Sequence, residues 1–138
     1  MIRSIVKISF VVIMISAFSC TSTPEKTKNQ SLVGNWDVQW ITYPEEGMEA
    51  DPTINLTMNG KMYIYQDSIS VHAYGYEGCI FGADTLMHTL NWSVSGDTLN
   101  LINVGDDFGI PYVIKEISTD KVKLQLVEDV FLFLKREE

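Results

Sequence analysis

The chain has 138 residues, of which 46% are hydrophobic and 20% are charged, and its formal net charge at pH 7 is −8. This composition is typical of a one-domain globular protein and excludes disordered and collagen-like chains. The sequence carries no basic stripe, so we expect no nucleic-acid partner. Attachment to anionic lipid by charge alone is excluded for the same reason, because both need clustered lysines and arginines.

Residues 1–19 have the pattern of an export signal. Arg3 and Lys7 begin it, and the apolar run that follows is shorter than the roughly 20 residues a membrane helix needs. The run ends in Ala-Phe-Ser-Cys at residues 17–20, which resembles the lipobox of bacterial lipoproteins. The resemblance implies cleavage before Cys20, diacylation of its thiol and acylation of the new amino terminus. A plain secretory signal with an incidental cysteine is the alternative.

The segment after the signal, residues 20–30, has no aliphatic or aromatic side chain beyond Cys20, which predicts a flexible tether. Residues 31–138 then form the folded domain. An acylated Cys20 would attach this domain to a membrane of the bacterial cell envelope, and we expect the outer membrane. Cys79 remains as a lone thiol, which is most simply a small buried apolar residue.

Beyond the tether, apolar and polar residues alternate in short runs separated by turn residues, a pattern that predicts many short strands. In chain order the predicted strands are 34–43, 54–58, 61–66, 69–74, 86–94, 99–104, 110–117, 121–126 and 130–135. Asn59-Gly60 predicts a hairpin turn between two of them, since both residues accept positive φ. No helix of useful length is predicted. An antiparallel meander of eight or nine strands must close or double up to hide its edges.

The first predicted strand contains Gly34-Asn35-Trp36, which resembles the Gly-any-Trp signature of lipocalins. Residues 32–36 resemble the opening of the short lipocalin-like domains found behind lipobox signals in bacterial envelope proteins. The resemblance implies an all-β fold, an antiparallel up-and-down meander of about eight strands closed into a small barrel. It also implies that a basic side chain of the last strand, Lys135 or Arg136, packs across Trp36 and closes the barrel base.

Aromatic side chains are the candidates for the barrel core or for the lining of a ligand cavity. They are Trp36, Trp40, Tyr63, Tyr65, Trp92, Phe131 and Phe133. The lipocalin resemblance implies that a small apolar or amphiphilic molecule binds in the barrel. The alternative is an accessory or structural envelope protein whose barrel is filled and whose surface binds another protein.

Nothing in the sequence predicts catalysis. His72 and His88 lack the spacing of a metal site, and the acidic clusters do not follow the EF-hand pattern. Nucleotide-binding loops and the nucleophile motif of hydrolases are absent from the sequence. We therefore predict no enzymatic activity, no metal and no cofactor.

Overall fold

The computed structural model describes residues 25–44, 49, 56–79 and 82–138. The predicted export signal, Cys20 and most of the acidic loop predicted between the first two strands lie outside the described residues. Within the described residues, one helix precedes eight strands. The elements are α1 Glu25–Leu32, β1 Gly34–Thr42, β2 Thr57–Ile64, β3 Ser68–Tyr74, β4 Thr85–Ser95, β5 Thr98–Ile102, β6 Ile110–Ile117, β7 Lys121–Val127 and β8 Val130–Arg136.

The eight strands form one closed antiparallel barrel in chain order. Each strand pairs with the next, and β8 returns to pair with β1 from Trp36 opposite Arg136 to Thr42 opposite Val130. Closure removes the unpaired edges that an open sheet would expose. The predicted all-β meander barrel is confirmed.

The barrel interior is apolar because the strands alternate as the sequence predicts. In β7, Val122 and Leu124 are buried, and their partners across the β7–β8 ladder, Leu134 and Leu132, are buried as well. Buried side chains from α1 and every strand form a single hydrophobic cluster. An eight-stranded barrel is narrow enough for such side chains to meet near its axis.

The connections divide the barrel into two ends. The short β2–β3, β4–β5 and β6–β7 turns lie at one end together with α1, and we call this the closed end. The three turns are residues 65–67, 96–97 and 118–120. The remaining connections, including the β3–β4 and β5–β6 loops, lie at the opposite end, which we call the open end.

The predicted hairpin at Asn59-Gly60 is wrong. Both residues lie inside β2, where Asn59 pairs with Gln39 and Gly60 pairs with Val38. Gly60 has no positive φ. Its role is steric, since a Cβ there would stand 2.0 Å from the carbonyl oxygen of His72 and 2.8 Å from the ring of Trp40. The glycine makes room for neighbouring backbone and an indole within the sheet.

The predicted tether is also too long at its carboxyl end. Residues 25–32 form α1, although none of residues 25–31 is aliphatic or aromatic. Such a short polar helix would be marginal alone. Tertiary contacts hold it on the barrel. Among them, Leu32 is fully buried in the core, and the Lys28 ammonium binds the Gly96 carbonyl at 3.0 Å and the Asp97 carboxylate. Tertiary contacts therefore order a segment that composition alone predicts to be flexible.

Candidate functional site

The closed end is sealed around Trp36, whose side chain is fully buried. The Trp36 indole Nε1 donates to the Leu32 carbonyl at the end of α1, at 2.8 Å. The guanidinium of Arg136 lies over the indole, with its central carbon 4.1 Å from the ring centroid. Of the two basic residues predicted to close the base, Arg136 makes this contact. Lys135 points to the outer face, because side chains alternate along β8.

Arg136 also binds three backbone carbonyls. Its Nη2 donates to Ser31 at 2.8 Å, its Nη1 to Val33 at 3.1 Å, and its Nε to Thr119 at 2.5 Å. Two of these acceptors lie at the carboxyl end of α1, where carbonyls lack helical partners and the helix dipole favours a cation. One side chain thus joins α1, β1, β8 and the β6–β7 turn.

Gly34 explains the first position of the Gly-any-Trp signature in this chain. Its φ is +145°, and a Cβ added there would lie 2.1 Å from Nη1 of Arg136. A larger residue would be strained by its backbone and would also displace the guanidinium. The signature therefore encodes the sealed base: the glycine leaves space for the arginine that covers the tryptophan.

The open end has a gap in its wall. β4 pairs with β3 over residues 85–91, but its pairing with β5 begins only at Asn91 opposite Ile102. The first half of β4 therefore has a neighbour on one side only. We use the name side slot for the space between residues 85–90 of β4 and the β5–β6 connection, residues 103–109.

Two apolar residues are exposed at the side slot, although their cross-strand partners are buried in the barrel interior. Leu86 pairs with the buried Ala73 and is 49% exposed, and Ile110 pairs with the buried Leu101 and is 47% exposed. His88, which pairs with Val71, is exposed as well. Cross-strand partners share a face of the sheet, so these side chains belong to the barrel interior. The side slot thus opens the apolar interior to solvent.

Two interior side chains, Tyr112 and Trp40, carry polar groups. Tyr112 pairs with the core residue Leu99 and is 9% exposed, and burial raises the pKa of its phenol. Trp40 packs against the core with its indole half-buried. Neither side chain has a hydrogen-bond partner within the described residues. Apolar side chains exposed at an opening, with a few polar groups in the same interior, are suited to an amphiphilic ligand.

The predicted aromatic candidates fall into two groups. Trp36, Trp40 and Trp92 belong to the interior or pack against it, and the Trp92 indole donates to the Tyr65 carbonyl at 2.9 Å. Tyr65 itself is 53% exposed at the β2–β3 turn of the closed end. Tyr63 alternates with the buried Met62 and Ile64 and therefore faces outward.

Phe131 and Phe133 also lie outside the barrel, which corrects their assignment to the core or to the cavity lining. Leu132 and Leu134 occupy the inward positions of β8, so the phenylalanines take the outer face. The Lys123 ammonium covers both rings, at 5.1 Å from the centroid of Phe131 and 5.4 Å from that of Phe133. The size of an aromatic ring suggested burial, but strand alternation decides which face it takes.

A solved structure with a similar architecture is a lipocalin-like protein from Bacteroides uniformis ATCC 8492. The likeness has a TM-score of 0.53 and 13% sequence identity, and it covers 78% of this chain and 99% of the other. The fold is lipocalin-like. No family model and no curated protein matches the sequence. At this low identity, the likeness concerns the fold alone.

Sequence reasoning missed the residues that line the opening of this lipocalin-like barrel, chiefly Leu86, Ile110 and Tyr112. Each lies in a strand that was correctly placed, but periodicity cannot tell a covered interior position from an open one. One signal was present, since the run that forms β5 is short beside its neighbour β4. A short strand beside a long one leaves part of the longer strand unpaired.

Two further findings bear on function. Among the described residues, no three or more histidine, cysteine, aspartate or glutamate side chains are grouped to hold a metal ion. In that same part of the chain, no helix has the length and the hydropathy to cross a bilayer.

Proposed function

We propose that this protein is a lipid-anchored envelope protein that binds a small apolar or amphiphilic molecule in the open end of its barrel. One observation carries the proposal: interior-facing Leu86 and Ile110 are about half exposed at the side slot. The other end is sealed by α1 and Arg136. A ligand would therefore have access from one end, and its apolar part would cover side chains that now face water.

The chemistry of the interior favours a ligand with one polar group. Tyr112 and Trp40 supply a hydroxyl and an indole N–H, and His88 adds a group that donates or accepts at the side slot. A ligand hydroxyl or carbonyl would satisfy these groups, and the apolar walls would bind an alkyl or ring portion. The phenol of Tyr112 is protonated at neutral pH, as an ordinary tyrosine is, and burial raises its pKa further.

Neighbouring residues of β4 allow a matched test of ligand binding. Leu86 faces the interior, whereas Met87, its neighbour, faces outward and is 70% exposed. We expect Leu86→Gln to weaken the binding of a fluorescent fatty-acid probe about 10-fold, since burying an unpaired amide costs about 1–3 kcal/mol. Met87→Gln should leave binding unchanged. The measurement is a fluorescence titration of the full-length chain in non-ionic detergent.

Two outcomes of this titration would contradict the proposal. The first is that the wild-type protein does not take up the probe. The second is that both variants bind the probe as wild type does, which would place the probe away from the side slot. Thermal unfolding of each variant provides the folding control, and both should unfold within about 1 kcal/mol of wild type because both sites are exposed.

The lipid anchor is a separate part of the proposal and rests on the lipobox-like residues before Cys20. Residues from Cys20 to Glu25, where α1 begins, span at most about 17 Å of extended chain. An acylated Cys20 would therefore hold the barrel close to the bilayer.

Cys20→Ala tests the anchor. Removing the thiol removes the site of acylation, so the protein should move from the membrane fraction to the soluble fraction after cell lysis. Cys79→Ala, which changes the other cysteine, should leave the distribution unchanged. Retention of the Cys20→Ala protein in the membrane fraction would rule out a thioether anchor.

A further inference from the structure

Three lysines of β7 and β8 lie together on the outer face of the barrel. Lys121 pairs directly with Lys135, and Lys123 stands two residues along β7 on the same face. None of the three forms a salt bridge within the described residues. Like charges directly opposite each other destabilise a sheet. The carboxylate of Asp37, opposite Lys135 on the β1 side, offsets part of this repulsion. Folding thus brings three lysines together into a cationic cluster, although the sequence as a whole is acidic.

A groove crosses the strands beside this cluster. It has a volume of about 630 Å³ and extends from β6 across β7, β8, β1 and β2 to β3. Its floor includes the backbone at Val38, Gly60, Val122 and Leu134, which pair in one row across the sheet. The groove therefore follows the curved outer face of the barrel across six strands.

The walls of this groove combine three kinds of side chain. They are the ammoniums of Lys121, Lys123 and Lys135, the rings of Phe133 and Tyr74, and the amides of Gln39 and Asn59. The two amides hydrogen-bond to each other, with the Gln39 Nε2 donating to the Asn59 Oδ1 at 3.2 Å.

Two carboxylates also line the groove. Asp37 is 3.3 Å from the ammonium of Lys61, and Glu116 pairs in register with Lys123. The groove thus has three lysines and two carboxylates, and one of the carboxylates, Asp37, is already ion-paired. The groove is therefore positive, although the net charge of the chain is −8.

We propose that this groove binds an extended acidic polysaccharide. The lysines would pair with its carboxylate or sulfate groups, the two rings would pack on the apolar faces of its sugar units, and the amides would bind its hydroxyls. An occupant of opposite charge would also relieve the repulsion between Lys121 and Lys135. This site is separate from the side slot and does not depend on the proposed ligand of the barrel.

Two other occupants fit the structure less well. A peptide added as an extra strand needs a free sheet edge, and the strands around this groove are paired on both sides in the closed barrel. The proposed anchor lies on the wrong side for a membrane: α1 binds the β4–β5 turn through Lys28, opposite β8 and β1 in the strand order.

The test is isothermal titration calorimetry of the full-length chain in non-ionic detergent with three polymers: polygalacturonate, neutral dextran and poly-glutamate. We expect polygalacturonate to bind, with an affinity that falls as salt rises. Dextran should not bind, and poly-glutamate should bind at least about 10-fold more weakly, because it lacks sugar faces and hydroxyls.

Matched variants assign the binding to the groove. The triple variant Lys121→Gln, Lys123→Gln, Lys135→Gln should lose about 10-fold or more in affinity for polygalacturonate, since each lost exposed ion pair is worth a factor of about 2 to 5. Lys115→Gln makes the same charge change at an exposed position of β6 outside the groove and should bind as wild type. Phe133→Leu should weaken polygalacturonate binding but not the binding of poly-glutamate.

Each remaining outcome overturns the proposal. No binding of polygalacturonate means that the groove is not a site for acidic sugars. Equal affinity for poly-glutamate means that charge alone is recognised, which favours an acidic protein partner. Equal weakening by Lys115→Gln means that binding follows net charge and not the groove. The lysine variants should stay folded, because the lysines are partly exposed and form no salt bridge.

Discussion

At the scale of single residues, this fold depends on a small group of side chains at the closed end. Trp36 fills the base, Arg136 covers it, and Gly34 leaves the space in which the guanidinium lies. The three residues form one packing unit, because the glycine makes room for the guanidinium that lies on the indole. The Gly-any-Trp spacing therefore predicts a specific packing arrangement, and not only a strand.

Gly34→Ala tests this arrangement. We expect it to lower the free energy of unfolding by roughly 1–3 kcal/mol, because an alanine is strained at a φ of +145° and its Cβ collides with Arg136. Chemical denaturation measures the change. Gly96→Asn is the control, since Gly96 has φ +59° with open space around it, and asparagine accepts that conformation. Similar losses in both variants would show that backbone strain alone, without Arg136, explains the glycine.

At the scale of elements, β2 shows how the tertiary structure overrides a strong local signal. Asn-Gly usually forms a tight turn because both residues accept positive φ. Here β1 offers a partner at Val38, and Trp40 needs the space beside Gly60. Pairing with two neighbouring strands and packing against the Trp40 indole outweigh the preference of the Asn-Gly dipeptide for a turn. The same reasoning applies to α1, where Leu32 and Lys28 hold a helix that its own composition does not favour.

A pair of substitutions in β2 distinguishes a strand from a turn. Asn59→Thr should leave stability unchanged or raise it by a few tenths of a kcal/mol, because threonine favours strands. In a type I′ turn the same change would be destabilising. Gly60→Ala should cost about 1–3 kcal/mol through overpacking against Trp40 and the His72 backbone. Thermal unfolding measures both, and a stable Gly60→Ala protein would contradict the close packing.

At the scale of the whole molecule, the barrel is sealed at one end and open at the other. The sealed end is held by α1, Trp36 and Arg136, and the open end has a wall interrupted where β5 stops short of β4. A binding protein needs both features, a rigid base and an accessible interior. The outer face adds the cationic groove on the side of β7 and β8.

Hydrogen exchange would show this asymmetry directly. Amides in residues 85–90 of β4, which pair only with β3 and border the side slot, should exchange faster than amides in β1. β1 is the control, since its residues 36–41 pair on both sides and should be protected throughout. Protection of residues 85–90 equal to that of β1 would mean that the side slot closes in solution.

The sequence by itself determined the fold class, most of the strands and the Trp36 base, because alternation and turn residues act locally and each strand shows them in its own residues. The lipocalin resemblance implied that Lys135 or Arg136 packs on Trp36, and the structure shows this contact for Arg136. Tertiary structure alone decided that β2 continues through Asn59-Gly60 and that residues 25–32 form a helix. It also decided the positions of the side slot and of the cationic groove. Each of these depends on which residues of distant strands become neighbours, and that information is absent from any one stretch of the chain.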